Sequence, residues 1–317
     1  MDTAIEAARL VKTYPKGVKA LDGLSFAAEA GTVFALLGPN GAGKTTAVKI
    51  LTTLTQPDDG KATVAGIDVV AHPDRVRRTI GAVSQASGVD IRATGRENLR
   101  LQGQLYGLRG ASLERRITEL LESFGLADAA DRIARGYSGG MKRRLDIVMA
   151  LIHDPRVLFL DEPTTGLDPE VRADMWQEIA GLASEQGKSV LLTTHYLEEA
   201  DQLASQVAIV DRGKVVAEGT PDELKRELRG DAIHVELEAV ANGAVPAALG
   251  GVEGVREVTL DGQIVRARAD DGGRAVPAVL QALEAHGLEV SSVQVRRPSL
   301  DDVYLKYAGR TFEEAER

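Results

Sequence analysis

Val33-Phe34-Ala35-Leu36-Leu37 runs directly into Gly38-Pro39-Asn40-Gly41-Ala42-Gly43-Lys44-Thr45-Thr46, and the segment 47–54 follows. An unbroken apolar run of this kind suits a strand buried on both faces. The loop after it fits Gly-x-x-x-x-Gly-Lys-[Ser/Thr], placed between a strand and a helix-forming stretch, the setting that gives the motif meaning. Its glycines let successive backbone N–H groups converge on phosphate oxygens, and the helix start adds a positive dipole end. In that geometry Lys44 reaches the β- and γ-phosphates, and Thr45 offers its hydroxyl to Mg²⁺. A glycine-rich turn that binds nothing is the plainer alternative. It leaves Lys-Thr in register behind a buried strand unexplained.

Working outward, Val157-Leu158-Phe159-Leu160 is a second apolar run and ends on Asp161-Glu162. An acidic pair at a strand's C-terminal end sits where α/β sheets bind ligands. Asp161 is suited to hold Mg²⁺, and Glu162 to order and deprotonate an attacking water. Two solvated acids at a strand end remain the simpler alternative, which the phosphate loop argues against. Ser189-Val190-Leu191-Leu192-Thr193-Thr194 reads as a third buried strand. The alternation, over the first two-thirds of the chain, predicts an α/β domain with a mainly parallel sheet. A helix-rich subdomain is expected at about 90–155. Its clearest helix is predicted to start at Ser112 as N-cap, with Leu113, Ile117, Leu120, Leu121 and Phe124 on one face.

Composition narrows the class. The 317 residues allow one large domain or two, at about 100–200 residues per domain. With 44% hydrophobic and 27% charged residues the chain has ordinary globular make-up, which argues against long disorder. The net charge of -9 gives no electrostatic reason to coat a nucleic acid. Having no cysteine excludes disulfides, thiolate zinc sites and thiol catalysis. Aromatic content of 4% is too sparse for a base-stacking surface. No stretch approaches the ~18–20 apolar residues that cross a bilayer. The start, Met1-Asp2-Thr3-Ala4-Ile5-Glu6, lacks the basic-then-apolar profile of a secretory signal. The expectation is a chain held at a membrane, if at all, by another protein.

The pattern changes after Gly230. Ile233, Val235 and Leu237 alternate with polar residues, and a short helix is expected at 245–249. Segments 256–260 and 263–269 flank Asp261-Gly262, a hairpin signal. A helix with Val276, Val279, Leu280 and Leu283 inward follows, then a strand at 288–295. In order this is βαββαβ, the ferredoxin-like arrangement, and it defines a small accessory α+β domain at 229–298. A last helix, capped by Ser299 and ending near Tyr307, belongs to a C-terminal segment 299–317 whose charged end, 310–317, is expected to fray.

Tyr137-Ser138-Gly139-Gly140-Met141 precedes the acidic pair and closely resembles the signature sequence of ATP-binding cassette (ABC) proteins. Over 1–228 the chain resembles that family without a gap. Tyr14 resembles the aromatic that stacks on adenine. Gln85 matches the glutamine that contacts Mg²⁺ and reports to a transmembrane partner. Gly166-Leu167-Asp168 after Pro163 resembles the loop that crosses the dimer interface, and His195 the histidine that holds the γ-phosphate. Taken singly, each has a plainer reading: a turn, a filler aromatic, a polar loop residue, a structural histidine. Their joint order is what the resemblance rests on.

Ser138-Gly139-Gly140 also has a physical reading of its own. It exposes unhindered N–H groups ahead of a helix expected at 141–152, a second anion-binding start. One chain already holds phosphate at 38–45, so the second site suits another molecule's nucleotide. The basic run Lys142-Arg143-Arg144 reads as part of a phosphate-rich interface or a solvated face, and is poor evidence for nucleic acid. Met141 stands where much of the family has Gln. That form, with Thr94-Gly95-Arg96-Glu97-Asn98-Leu99 and Ser299-Leu300-Asp301-Asp302-Val303-Tyr304-Leu305, resembles the ATP-binding subunits of daunorubicin-resistance exporters.

The resemblance implies an ATPase with ATP and Mg²⁺ as ligands, working as a homodimer on a separate multi-spanning permease at the cytoplasmic face of the membrane. Glu162 and His195 would carry hydrolysis, with export of a hydrophobic drug or antibiotic as the outcome. The rival from another class is a soluble ABC ATPase acting on DNA or ribosomes. The interval between Lys44 and Ser138 is too short for the long coiled coil of chromosome-type members, and one set of motifs does not make the two cassettes of translation-type members.

Overall fold

The computed structural model describes residues 2–228, 230–239 and 244–316. They form two compact units, Met1–Pro221 with Phe312–Arg317, and Asp222–Thr311.

In the first unit, β1 (Thr3–Tyr14) and β2 (Val18–Glu29) make an antiparallel hairpin closed at Tyr14 and Val18. β3 (Val33–Leu37) is the run that carries the phosphate loop, and β4 (Asp59–Val64) and β5 (Ile67–Asp68) follow the first helix. The remaining strands are β6 (Ile80–Val83), β7 (Val157–Asp161), β8 (Ser189–Thr194), β9 (Gln206–Asp211) and β10 (Lys214–Gly219). They build two sheets, β2-β1-β4-β5 and β10-β9-β3-β8-β7-β6. The first is antiparallel. In the second, β9, β3, β8, β7 and β6 run parallel and only β10 turns back.

The core lies between these sheets and the first helix. Phe26 of β2 and Phe34 of β3 stack at 5.2 Å, with Leu10, Leu21, Leu24, Ile50 and Leu51 packed in the same cluster. Each such side chain contributes about 1.5–3 kcal/mol by leaving water. What positions the site is register. Leu37 lies opposite Thr194, and Asp161 opposite Thr193, so the chain leaves β3, β7 and β8 along one edge of the sheet. Ligands of α/β sheets bind at that edge. The antiparallel sheet was not expected from the sequence.

Several local expectations shift. The first helix is Lys44–Leu51, not 47–54, so the motif lysine is itself the first helical residue. The helix expected from a Ser112 cap is Gly110–Ser123 with Arg109 at its N-cap position. Ser112 lies inside it, its hydroxyl donating back to the Arg109 carbonyl at 2.9 Å, while Leu113, Ile117, Leu120 and Leu121 are buried as expected. The helix after Ser138 is Gly139–Leu151, and Ser138 is its cap. Phe312–Glu316 is helical where fraying was expected. No helix among the described residues is long and apolar enough to cross a membrane.

The second unit has β11 (Asp231–Leu237), β12 (Val255–Asp261), β13 (Ile264–Ala269) and β14 (Val290–Arg296), in the order β12-β13-β11-β14 and antiparallel throughout. With helices Ala244–Leu249 and Gly272–Ala285 between them, this is βαββαβ of ferredoxin-like topology. The hairpin pairs Asp261 with Ile264, so its two turn residues are Gly262 and Gln263, one step later than the Asp261-Gly262 reading. Val235, Leu237, Val265, Val279 and Leu283 fill its core. Ser299 caps the helix Leu300–Ala308 in a reciprocal capping box with Asp302.

Candidate functional site

The phosphate loop is held open by its neighbours. Gly38 N–H donates to the Thr194 carbonyl at 3.2 Å, and Gly213 N–H to the Ala42 carbonyl at 2.8 Å. Gly43 has φ +111°, and a Cβ there would lie 2.5 Å from the Ala20 carbonyl oxygen, so no L side chain fits. The helix that follows has no side-chain cap, which leaves its first N–H groups pointing into the loop. Lys44 is buried. Its Nζ donates to the loop's own carbonyls, Gly38 at 2.6 Å and Pro39 at 3.1 Å, and lies 3.7 Å from Glu162 Oε1. Gly38, Pro39 and Ala42 are buried, Thr46 half-buried, and Asn40, Gly41 and Thr45 exposed.

Asp161 and Glu162 divide the work at the end of β7. Asp161 Oδ1 accepts from Thr193 Oγ1 at 2.6 Å and from Thr45 Oγ1 at 3.3 Å, which ties the loop threonine to the acidic pair. Glu162 has φ +50°, a left-handed conformation rare outside glycine. Its backbone N–H donates to Thr193, and the turn swings the carboxylate toward the loop. Four side chains from four segments meet it. His195 Nδ1 and Lys44 Nζ stand 3.4 and 3.7 Å from Oε1, while Gln85 Nε2 and Thr165 Oγ1 each donate to Oε2 at 3.3 Å. A carboxylate only 9% exposed needs such company, because burying an unpaired charge is expensive.

Arg143 was misread. It belongs to neither a solvated face nor a phosphate interface: it is 8% exposed and points into the molecule. Its guanidinium donates to the carbonyls of Ser84 (2.7 Å), Asp161 (3.0 Å), Glu162 (3.1 Å) and Pro163 (2.7 Å). One side chain thus fastens Ser84, the residue after β6 and before Gln85, to the turn that presents Glu162. One helical turn on, Asp146 Oδ1 accepts from Gly88 N–H at 2.9 Å, so the Gln85 loop is gripped at both ends. Burial pushes the Asp146 carboxyl up and the Arg143 guanidinium down from their ordinary values. The available signal was the spacing, since Arg143 and Asp146 lie three apart on a helix that also buries Leu145, Ile147 and Val148. Arg144, half-buried, reaches Asp174 and Glu178 on the helix Pro169–Ser184.

The structure therefore brings Lys44, Thr45, Gln85, Asp161, Glu162 and His195 together, and adds Thr165 and Arg143. Gly139 shares a cavity of about 280 Å³ with Gln85 and Glu162. Tyr14, Ser138 and Asp168 are engaged locally instead. Tyr14 closes the first hairpin, half-exposed, with Lys12 Nζ 6.0 Å from its ring centre. Ser138 accepts from Met141 N–H at 3.2 Å, and Asp168 from Val171 N–H at 3.0 Å, each as a helix cap. Among the described residues no group of three or more His, Asp or Glu side chains is placed to hold a metal unaided. The hard oxygens of Thr45 and Asp161 fit Mg²⁺, whose usual shell is one or two protein oxygens completed by phosphate and water.

The comparisons with known proteins agree with this geometry. Residues 21–165 match the ABC transporter family, and residues 219–308 match the C-terminal domain of DrrA1-3-like ATP-binding proteins. The daunorubicin resistance ATP-binding protein DrrA3 of Streptomyces coeruleorubidus is 47% identical over 97% of this chain and 96% of its own length. The Nod factor export ATP-binding protein I of Ralstonia nicotianae is 38% identical over 92% of this chain and 89% of its own. Among solved structures, the dimeric post-hydrolysis state of the ATP-binding cassette MJ0796, bound to ADP and Pi, superposes with a TM-score of 0.62 at 26% identity. It covers 68% of this chain and 98% of that one.

Proposed function

The chain belongs to the ATP-hydrolysing subunits of ABC transporters, and on that premise we propose that two copies clamp two ATP molecules to drive export of a hydrophobic drug or antibiotic through a separate multi-spanning permease. The observation that carries the reading is the convergence of Lys44, Gln85, Thr165 and His195 on the buried carboxylate of Glu162.

The loop N–H groups of residues 38–46 and the Lys44 ammonium hold the β- and γ-phosphates. To do so Lys44 exchanges its bonds to Gly38 and Pro39 carbonyls for phosphate oxygens. Thr45, Asp161 and Gln85 hold Mg²⁺, which when bound offsets phosphate charge. Glu162 takes a proton from the attacking water, and His195 steadies the γ-phosphate beside it. Tyr14 provides the aromatic face for adenine. Ser138, Gly139 and Gly140, with Asp168, complete the nucleotide site of the second copy, which their position at exposed or capped helix starts supports. The subunit then sits peripherally at the cytoplasmic face of the membrane. The daunorubicin-resistance relative supports the cargo class, and the choice of cargo within that class is assigned to the permease. Residues 1–228 serve as the ATP-binding domain, 229–298 as an accessory module and 299–317 as its closing segment.

A mild-detergent pull-down from native cells, read by mass spectrometry, tests the partner. A multi-spanning membrane protein is the expected result. Ribosomal or chromosomal partners with no membrane protein would overturn the transport reading and leave the ATPase.

A further inference from the structure

Glu199 is 1% exposed and has no place among the phosphate-facing side chains, yet it is tied to two of the elements that carry them. Its Oε1 accepts from Thr164 Oγ1 at 2.7 Å and from Trp176 Nε1 at 3.1 Å. Glu199 lies in the first turn of the helix Leu197–Leu203, one turn past His195. Thr164 is the neighbour of Thr165, whose hydroxyl donates to Glu162 Oε2. Segments 162–165 and 195–199 are therefore laced at two points. One is the Glu162–His195 approach of 3.4 Å at the phosphate-facing side, and the other is the Thr164–Glu199 bond in the interior.

Trp176 brings in a third element, the helix Pro169–Ser184, whose cap is Asp168. The same helix reaches the His195 segment again through Arg172, whose guanidinium lies 4.3 Å from the centre of the Tyr196 ring. Arg172 also donates to the Leu167 carbonyl at 3.3 Å, so the loop 166–168 and the histidine segment share one guanidinium.

We infer that Glu199 is a positioning residue for ATP hydrolysis, setting the separation of His195 and Glu162 according to where the loop 166–168 and its helix lie. The inference rests on the reading in which Glu162 and His195 serve the hydrolytic step. A buried carboxylate that accepts from a hydroxyl and an indole is directional in a way apolar packing is not, and its donors have no water to turn to when it is lost. Moving the helix moves Trp176, hence Glu199, hence the histidine one turn before it. Misplacement of a catalytic group by about 1 Å costs on the order of 10²-fold in rate, so the lever is short but sufficient.

The test uses the full chain and measures kcat, ATP affinity in a Glu162→Gln background, thermal midpoint, and fluorescence of Trp176, the chain's one tryptophan. Glu199→Leu should lower kcat about 10- to 100-fold with ATP affinity within about 3-fold. Glu199→Gln keeps an oxygen for both donors and should restore kcat to within about 3-fold of the parent. ATP should change Trp176 emission in the parent, and Glu199→Leu should lose that response. Should the leucine variant fail to fold, Trp176→Phe takes its place. It removes one donor and should lower kcat several-fold at unchanged affinity. Parental kcat in Glu199→Leu or Trp176→Phe, or a parent whose Trp176 emission ignores ATP, overturns the inference. Equal hydrolysis by the parent and Glu162→Gln instead overturns the underlying assignment of the base.

Discussion

Two helices of the first unit open on glycine-rich turns, and the chain finishes them differently. The helix Lys44–Leu51 begins at Gly43 without a side-chain cap, and around it Asp161, Glu162, Gln85, Thr165 and His195 arrive from distant parts of the sequence. The helix Gly139–Leu151 begins at an exposed Ser138 that caps its own backbone, with an exposed Gly139 beside it. Its inner face carries the investment instead. Gly140 is pressed against Val171, Arg143 holds four carbonyls, and Asp146 holds Gly88. One start is complete toward a ligand from its own chain. The other is braced from behind and bare in front, the arrangement expected of a surface that serves another molecule's nucleotide.

The first start breaks most visibly at its carboxylate. Glu162→Gln removes the proton acceptor and should lower kcat by about 10²–10⁴-fold while ATP binding survives; a variant that hydrolyses at the parental rate removes Glu162 from the mechanism. Next in size, Lys44→Ala deletes a charge-assisted contact to phosphate. It should weaken ATP binding about 10- to 100-fold, readable by calorimetry or a fluorescent analogue. Unchanged affinity would sink the phosphate-loop assignment.

How legible these two starts were in the sequence follows from what kind of signal each part gives. Val33–Leu37 and Val157–Asp161 are buried along their whole length, and the unbroken apolar runs 33–37 and 157–160 announced them. The second unit was legible because Ile233, Val235 and Leu237 keep strict alternation to the core. β1 was not. Ile5 and Ala7 point inward, but the register shifts before Leu10, and Arg9 takes φ +50° at the break. A bulge resets the period of two on which strand reading depends. At the site, Glu162 was legible because it follows Asp161 at a strand's end, and Gln85 and His195 only through the family resemblance. Thr165 and Glu199 were not, since a polar residue beside a motif carries no periodic mark of what it bonds. Arg143 sat in a run of three cations whose sum suggests a surface, and only the helical period separates the buried one from its half-buried neighbours.

The second start is sharpened by changing front and back separately. Ser138→Arg places a long cation on the exposed face. It should leave ATP binding by one chain within about 3-fold and lower hydrolysis about 10-fold or more, since the donors there act only when aligned with a nucleotide. Activity that no longer rises with protein concentration would accompany it. A parental rate would show that this face serves no nucleotide. From behind, Gly140→Ala builds a Cβ 2.5 Å from Val171 Cγ1. Overpacking of that kind costs about 1–3 kcal/mol, visible as a lower urea midpoint, and Val171→Ala should recover it by removing the clashing methyl.

The smallest effect separates the buried brace from ordinary surface charge. Burial holds the Asp146 carboxyl above the usual carboxylate range, so over the interval between its ordinary and its raised value the folded chain keeps a proton that the unfolded chain has released. Stability then falls as pH rises through that interval. Asp58 works the other way. The Lys12 ammonium and the Thr13 N–H hold its carboxyl low, and what it contributes is lost as pH falls through its lowered value. Asp146→Asn keeps an oxygen for the Gly88 N–H but cannot ionise. Urea midpoints measured across about pH 4–8 should therefore lose part of their decline toward neutral pH in this variant and keep the acid limb to which Asp58 belongs. An unchanged decline would mean that Asp146 ionises in the fold without cost, and that the brace behind Ser138 is more hydrated than its packing indicates.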